Sequence, residues 1–348
     1  MAGRPRFWHT ILRRQPPLSA QAGRAMASPS TQPASSMIDS SALPVETEGF
    51  HIVRLCAQSP HSELYQARVA GTDEPVALKI VRFGTRDGAQ EDASARFLRE
   101  ATAAGRLQHP AIVRTLGAGI VYQGGQPCGW LAMEWVPGSD LSRYAQPGRL
   151  LPEELVLRIG AVTAEALAHA HAQGVVHRDL KPGNLLFNPA AGGILKVGDF
   201  GCARLLDQGN SRSGLMMGTP CYMAPEQLSG VPVDGRCDLY ALGVVLFELL
   251  TGQRPFDRSS MGETLSAIAG EAPPPLLARR PELPAVLGDV VARLLAKSPA
   301  DRHADGHTLA RELRLIARLC ETNRAAGGGH NGLVNKNNSR IEPRATAP

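Results

Sequence analysis

At 348 residues, 43% hydrophobic and 20% charged, the chain can bury a sizeable core, which excludes a disordered or fibrous protein. The formal charge of +5 belongs to the ends: residues 1–38 carry five Arg and no acid, residues 321–348 four Lys or Arg against two Glu, and 28 basic and 30 acidic residues lie between. That near-neutral middle argues against a nucleic-acid partner, and the longest apolar run, Leu239 to Leu250 with Glu248 inside it, is well short of the roughly 20 residues of a membrane span. Six cysteines, at 56, 128, 202, 221, 237 and 320, form no C-x-x-C pair and have no zinc-spaced His, so they read as the reduced thiols of a cytoplasmic protein.

Residues 1–48, rich in Pro, Ser, Ala and Arg without a period, are expected to be a disordered basic tail. Three strand-like runs follow, 51–55, 63–69 and 75–82, separated by turn formers as in an antiparallel meander. The spacing of Phe97, Ala101, Ala104 and Leu107 predicts a helix over 93–107. Trp130 to Val136 reads as a strand stopped by Pro137-Gly138. Beyond it helices dominate, at 152–173, 239–251, 261–269, 285–297 and 305–320, with one short strand at 194–198. His169 and His171, two apart, point to different helix faces and make no metal pair. From Glu321 the Gly- and Asn-rich sequence reads as a second disordered tail, 321–348.

The chemistry concentrates in His177-Arg178-Asp179-Leu180-Lys181-Pro182-Gly183-Asn184, kept a loop by Pro182 and Gly183. Asp179 can accept a hydroxyl proton, Lys181 can neutralise a moving phosphoryl group, and Asn184 can offer an amide oxygen to Mg²⁺. This segment resembles the catalytic loop H-R-D-L-K-P-x-N of the eukaryotic-like Ser/Thr protein kinase superfamily. Asp199-Phe200-Gly201, after a strand, is similar to the family's metal-binding D-F-G, and Gly218-Thr219-Pro220-Cys221-Tyr222-Met223-Ala224-Pro225-Glu226 to its G-T-x-x-Y-x-A-P-E.

The resemblance covers about residues 50 to 320 and implies an α+β, bilobal kinase-like fold over 49–320, with a small antiparallel lobe and hinge at 49–136 and a mainly helical lobe at 137–320. It implies ATP and Mg²⁺ as cofactors, Asn184 and Asp199 as metal ligands, and protein Ser/Thr hydroxyls as acceptors. Lys79, in Val76-Ala77-Leu78-Lys79, would position the ATP phosphates through an ion pair with Glu100. Met133 would be the gatekeeper, the backbones of Glu134 and Val136 would meet the adenine edge, and Leu64, Ala77 and Leu186 would wall it. Asp238 would bond the His-Arg-Asp turn or simply cap its helix, and Arg302 would pair with Glu226. Ser211 and Ser213 stand where bacterial members often place phosphoacceptors, which implies autophosphorylation of an activation loop.

One element departs from the family. Anchored on Leu64-Tyr65 and Lys79, the three glycines of the phosphate-covering G-x-G-x-x-G fall on Ala57, Ser59 and Ser62, and Pro60 removes a further N–H donor. The serine hydroxyls are expected to stand in for the lost backbone donors. Two other readings stay open: a nucleotide-binding pseudokinase scaffold, and a small-molecule phosphotransferase on the same fold, which Lys181-Pro182 and the segment 218–226 disfavour.

Overall fold

The computed structural model describes residues 46–47, 49–83, 90–123, 126–191, 193–200 and 220–327. Of the expected tails at 1–48 and 321–348, residues 1–45, 48 and 328–348 lie outside the described residues, as do Gly201, Ser211, Ser213, Gly218 and Thr219 of the segment 201–219; residues 46–47 form a strand and 321–327 a helix rather than disordered tail. The chain divides into two compact units, Met1–Leu141 with Ala166–Met223 and Ser142–Glu165 with Ala224–Pro348. The α+β class holds, with sheet and one helix leading in the first unit and helices in the second.

The first unit is built on an antiparallel sheet ordered β1-β2-β3-β4-β6-β5. Its members are β1 (Glu46–Thr47), β2 (Phe50–Gln58), β3 (Ser62–Val69), β4 (Pro75–Arg82), β5 (Thr115–Gln123) and β6 (Gln126–Glu134). Strand alternation sorts the side chains by face. Val76, Leu78 and Ile80 of β4 join Phe50, Tyr65 and Trp130 in one apolar cluster. Ala77 and Val81 join Leu64, Met133 and Phe97 in another, and Phe97 belongs to helix α1 (Gln90–Ala104). Lys79, midway between Ala77 and Val81, is thereby aimed to the α1 side of the sheet.

Gly129 lets α1 come close. A Cβ there would stand 2.7 Å from the Phe97 ring. Gly129→Ala is expected to destabilise the protein by ~1–3 kcal/mol, the usual cost of overpacking, read as a lowered urea midpoint at unchanged slope.

A second sheet in the same unit, β7 (Ser139–Asp140), β8 (Leu185–Asn188) and β9 (Ile194–Val197), flanks the loop 177–184. The segment 109–113 pairs beside it: Val113 N–H donates to Val197 O at 2.9 Å and Val197 N–H to Ala111 O at 2.8 Å.

The second unit takes the start of α2 (Glu153–Ala172), together with α3 (Pro225–Leu228), α4 (Arg236–Thr251), α5 (Met261–Gly270), α6 (Ala285–Leu294) and α7 (Gly306–Gly327). Every residue of α4 from Cys237 to Leu250 is buried. The helix begins three residues before the expected Leu239, with Gly235 at its N-cap, so Asp238 does not cap it. It lies buried in the first turn, where a carboxylate meets the positive end of the helix dipole.

Helix α6 stops at Leu294 rather than Lys297. Lys297 instead turns its ammonium over the Phe256 ring, 3.9 Å from the centroid, and onto the carbonyls of Ala267 and Ile268 at the end of α5. Helix α7 runs past the expected Cys320 to Gly327; Arg324, Ala325 and Ala326 are good helix formers and Glu321 pairs with Arg158. Among the described residues no helix is long and apolar enough to cross a membrane. The five described cysteines are free thiols.

Candidate active site

The loop His177–Asn184 is wired mainly through its backbone. Asp179 N–H donates to Nδ1 of buried His177 at 3.3 Å. An amide can only donate, so Nδ1 is the acceptor and the proton sits on Nε2, which donates to Gly198 O at 2.8 Å. The His177 ring also meets Phe200 edge to face at 4.6 Å. One imidazole thus fixes the loop against the Asp-Phe-Gly segment. Sequence reading gave it no role, although it stands inside the motif.

Asn184 N–H bonds Lys181 O at 3.0 Å, and Gly198 N–H bonds Asn184 O at 2.8 Å. The Asn184 amide group donates to Asp179 O at 2.7 Å and, more weakly, to Asp179 Oδ2 at 3.3 Å. Lys181 Nζ meets the same Oδ2 at 2.7 Å. Asp179, Lys181 and Asn184 are therefore drawn to one point. Arg178 and Asp199 both hold left-handed backbone, φ 65° and 60°, a conformation that costs non-glycine residues ~1–2 kcal/mol and is concentrated at working sites.

Lys79 Nζ lies 2.9 Å from Asp199 Oδ2. Lys79 is thus ion-paired with Asp199. Glu100 is half-buried on α1, one turn from Phe97. Burial alone would raise the Asp199 pKa, but the Lys79 charge and hydrogen bond, with the Lys181 charge, outweigh it and hold the carboxyl below its ordinary 3.8. The stability Asp199 contributes is complete above that ordinary value and is lost as the pH falls through the lower folded one. The stability gap between wild type and Asp199→Asn, measured by urea unfolding, should accordingly close as the pH is taken below about 3.8.

On the α1 side of the sheet Leu64, Ala77 and Met133 share one apolar cluster, with Ala77 directly opposite Met133. Leu186 is half-buried on β8. Glu134 closes β6, and its N–H is taken by Arg114 O at 2.9 Å. Its carboxylate accepts from Arg114 N–H at 2.8 Å and from Lys196 Nζ at 2.6 Å. Val136 follows, half-buried, beyond the end of the strand. Lys196 was not singled out in the sequence. Its signal is a lone cation in the short strand before Asp199.

At the hairpin that replaces the glycine-rich loop, Ala57 pairs with Leu64 and the turn 59–62 closes on itself. Ser59 N–H donates to Ser62 O at 2.8 Å, Ser62 N–H to Ser59 Oγ at 3.0 Å, and the two hydroxyls lie 2.9 Å apart. The serine hydroxyls expected to stand in as phosphate donors are engaged with each other and with the turn.

The oxygen donors suit Mg²⁺. Asn184 commits its NH₂ to Asp179, which leaves its amide oxygen, and Asp199 is held ionised. Among the described residues no group of three or more His, Cys, Asp or Glu could hold a metal.

The sequence profile of the protein kinase domain matches residues 58–313. The chain is 36% identical over 276 residues to the serine/threonine-protein kinase pkn3 of Myxococcus xanthus, covering 77% of this chain and 50% of that one. It is 40% identical over 263 residues to the serine/threonine-protein kinase PknJ of Mycobacterium tuberculosis, covering 73% and 43%. It thus spans half or less of these curated relatives. The solved PknI kinase domain of Mycobacterium tuberculosis superposes with a TM-score of 0.61 at 32% identity, covering 77% of this chain and 96% of that one. A matched profile over most of the chain, with relatives of this identity, places it in a family: the chain belongs to the protein kinases, among the eukaryotic-like Ser/Thr kinases of bacteria.

Proposed function

We propose that the protein transfers the γ-phosphate of ATP to Ser or Thr hydroxyls of proteins. The observation that carries this reading is the convergence of Lys181 and Asn184 on Asp179, in one compact unit with the Lys79–Asp199 pair. Asp179 keeps Oδ2 on Lys181 and Asn184 and offers Oδ1 to the acceptor hydroxyl, orienting it and taking its proton. Lys181, already beside that carboxylate, stabilises charge on the transferring group, and Lys79 turns from Asp199 to the phosphates. Asn184 and Asp199 would hold Mg²⁺, which supplies charge neutralisation at the phosphate oxygens.

The adenine edge would lie against the Glu134 carbonyl and the Val136 N–H, with Leu64, Ala77, Met133 and Leu186 as apolar walls. Glu100 would pair with Lys79 and hold it toward the phosphates. Autophosphorylation at Ser211 or Ser213 would order the activation segment through Arg178.

The test is γ-labelled ATP with Mg²⁺, the full chain, and a generic basic protein acceptor. Label is expected on the chain itself and on the acceptor. Absence of label with nucleotide-dependent thermal stabilisation would favour a pseudokinase scaffold, the reading that the closed, glycine-free turn 59–62 supports.

A further inference from the structure

The hairpin tip carries a second feature, on its other face. The Glu63 carboxylate, in a residue only 4% exposed, gathers three donors from three strands: Gln58 Nε2 of β2 at 3.2 Å, the Tyr65 hydroxyl of β3 at 2.8 Å and Arg82 Nη2 of β4 at 2.7 Å. Beside it Arg82 N–H donates to His61 O at 2.8 Å, so the turn itself is tied to the strand that bears Lys79. Burial and the Glu63 carboxylate push the Tyr65 hydroxyl well above the ordinary tyrosine range, which keeps it a donor.

Glu63 and Tyr65 alternate along β3 with Leu64, which belongs to the α1-side cluster with Ala77 and Met133. The cluster of polar groups therefore lies on the face away from the adenine walls and reaches the nucleotide only through the backbone. The β2–β3 ladder already keeps the strands in register. A half-buried ion pair such as Glu63–Arg82, its arginine 32% exposed, is a weak source of net stability, and its use here is to fix geometry. Geometry is what this hairpin lacks: with Ala57, Ser59 and Ser62 it cannot reshape itself around phosphates as three glycines would.

We infer that Glu63 and Arg82 are positioning residues that hold the phosphate-covering hairpin in one preset shape against β4, and so set the affinity for the polyphosphate end of the nucleotide. The inference rests on the ATP-binding reading above. It assigns the network to phosphate recognition alone, with adenosine recognition left to the hinge.

The experiment titrates the full chain with adenosine, ADP and ATP plus Mg²⁺ by calorimetry, comparing wild type with Glu63→Gln, Tyr65→Phe and Arg82→Lys. Glu63→Gln is expected to weaken ATP about 5- to 10-fold, the loss of roughly one charge-assisted hydrogen bond, while adenosine stays within about 2-fold. Where transfer is measured, KM for ATP rises and kcat at saturation holds. Arg82→Lys, which keeps the charge, weakens ATP less than Glu63→Gln does. If Glu63→Gln does not fold, Tyr65→Phe carries the test, with the same pattern at smaller amplitude because one of the three donors is gone. ATP affinity equal to wild type, or equal losses for adenosine and ATP, overturns the inference. A wild type that binds none of the three ligands overturns the kinase reading itself, and this inference with it.

Discussion

Asp179→Asn should lower phosphoryl transfer by ~10²- to 10⁴-fold, the range spanned by a positioned general acid or base, while ATP affinity stays within about 2-fold. The structure explains why the substitution is clean. Two of the bonds that hold residue 179 belong to its main chain, N–H to His177 and O from Asn184, and an amide oxygen can still accept from Lys181. The loop should keep its shape while the group that takes the proton is gone. The measurement is single-turnover transfer of labelled phosphate beside a nucleotide titration of the same preparation. Transfer within about 10-fold of wild type would remove Asp179 from the role of base. A parallel loss of ATP binding would mean that the variant had disturbed the site as a whole.

The second large effect is on folding. Arg302 and Glu226 form a two-pronged ion pair in the second unit, Nη1 to Oε1 at 2.6 Å and Nη2 to Oε2 at 2.8 Å, with the arginine side chain fully buried. The same guanidinium donates to the carbonyls of Ala296, Lys297 and Arg236 and lies 4.9 Å from the Tyr240 ring centroid. Removing it leaves a buried carboxylate uncompensated and takes one donor from each of three carbonyls. Arg302→Met is therefore expected to cost ~3–5 kcal/mol, read from urea unfolding.

Arg302→Lys should recover little, since a single ammonium cannot serve both oxygens and the carbonyls together. The double variant Arg302→Met, Glu226→Gln should be more stable than Arg302→Met alone, because the stranded charge is then gone. A loss below ~1 kcal/mol in Arg302→Met would show that the pair is dispensable.

How far the residues spoke for themselves varied with the range of the interaction. The strands 62–69 and 75–82 and the helices at 153–172 and 261–270 fell within a residue or so of their expected bounds, because alternation and 3.6-residue spacing are local signals. Helix ends were harder. Lys297 left its helix for the carbonyls of α5, a partner about 30 positions away that no window around residue 297 contains. Asp238 resembles a cap by type, yet Gly235 occupies that place.

The Arg302–Glu226 pair was legible only through the kinase resemblance and forms as that resemblance implied. Glu63, Lys196 and His177 were not assigned roles, since a Glu in a strand, a Lys in a strand and a His in a motif have ordinary solvated or packed alternatives. Only their partners' positions separate the cases.

By itself the sequence determined the chemistry on offer: an aspartate, two lysines and two further oxygen-bearing side chains in an order that belongs to protein kinases, and a hairpin without glycines where that family has three. Those follow from side-chain identity and spacing along the chain. The tertiary structure alone decided which charges meet. It paired Lys79 with Asp199, set the His177 tautomer, turned the two serine hydroxyls onto each other and gathered Gln58, Tyr65 and Arg82 around Glu63. The physical reason is that an ion pair or a buried hydrogen bond depends on a few ångströms of separation and on exclusion of water. Both are set by how distant segments pack rather than by the residues beside them in the chain.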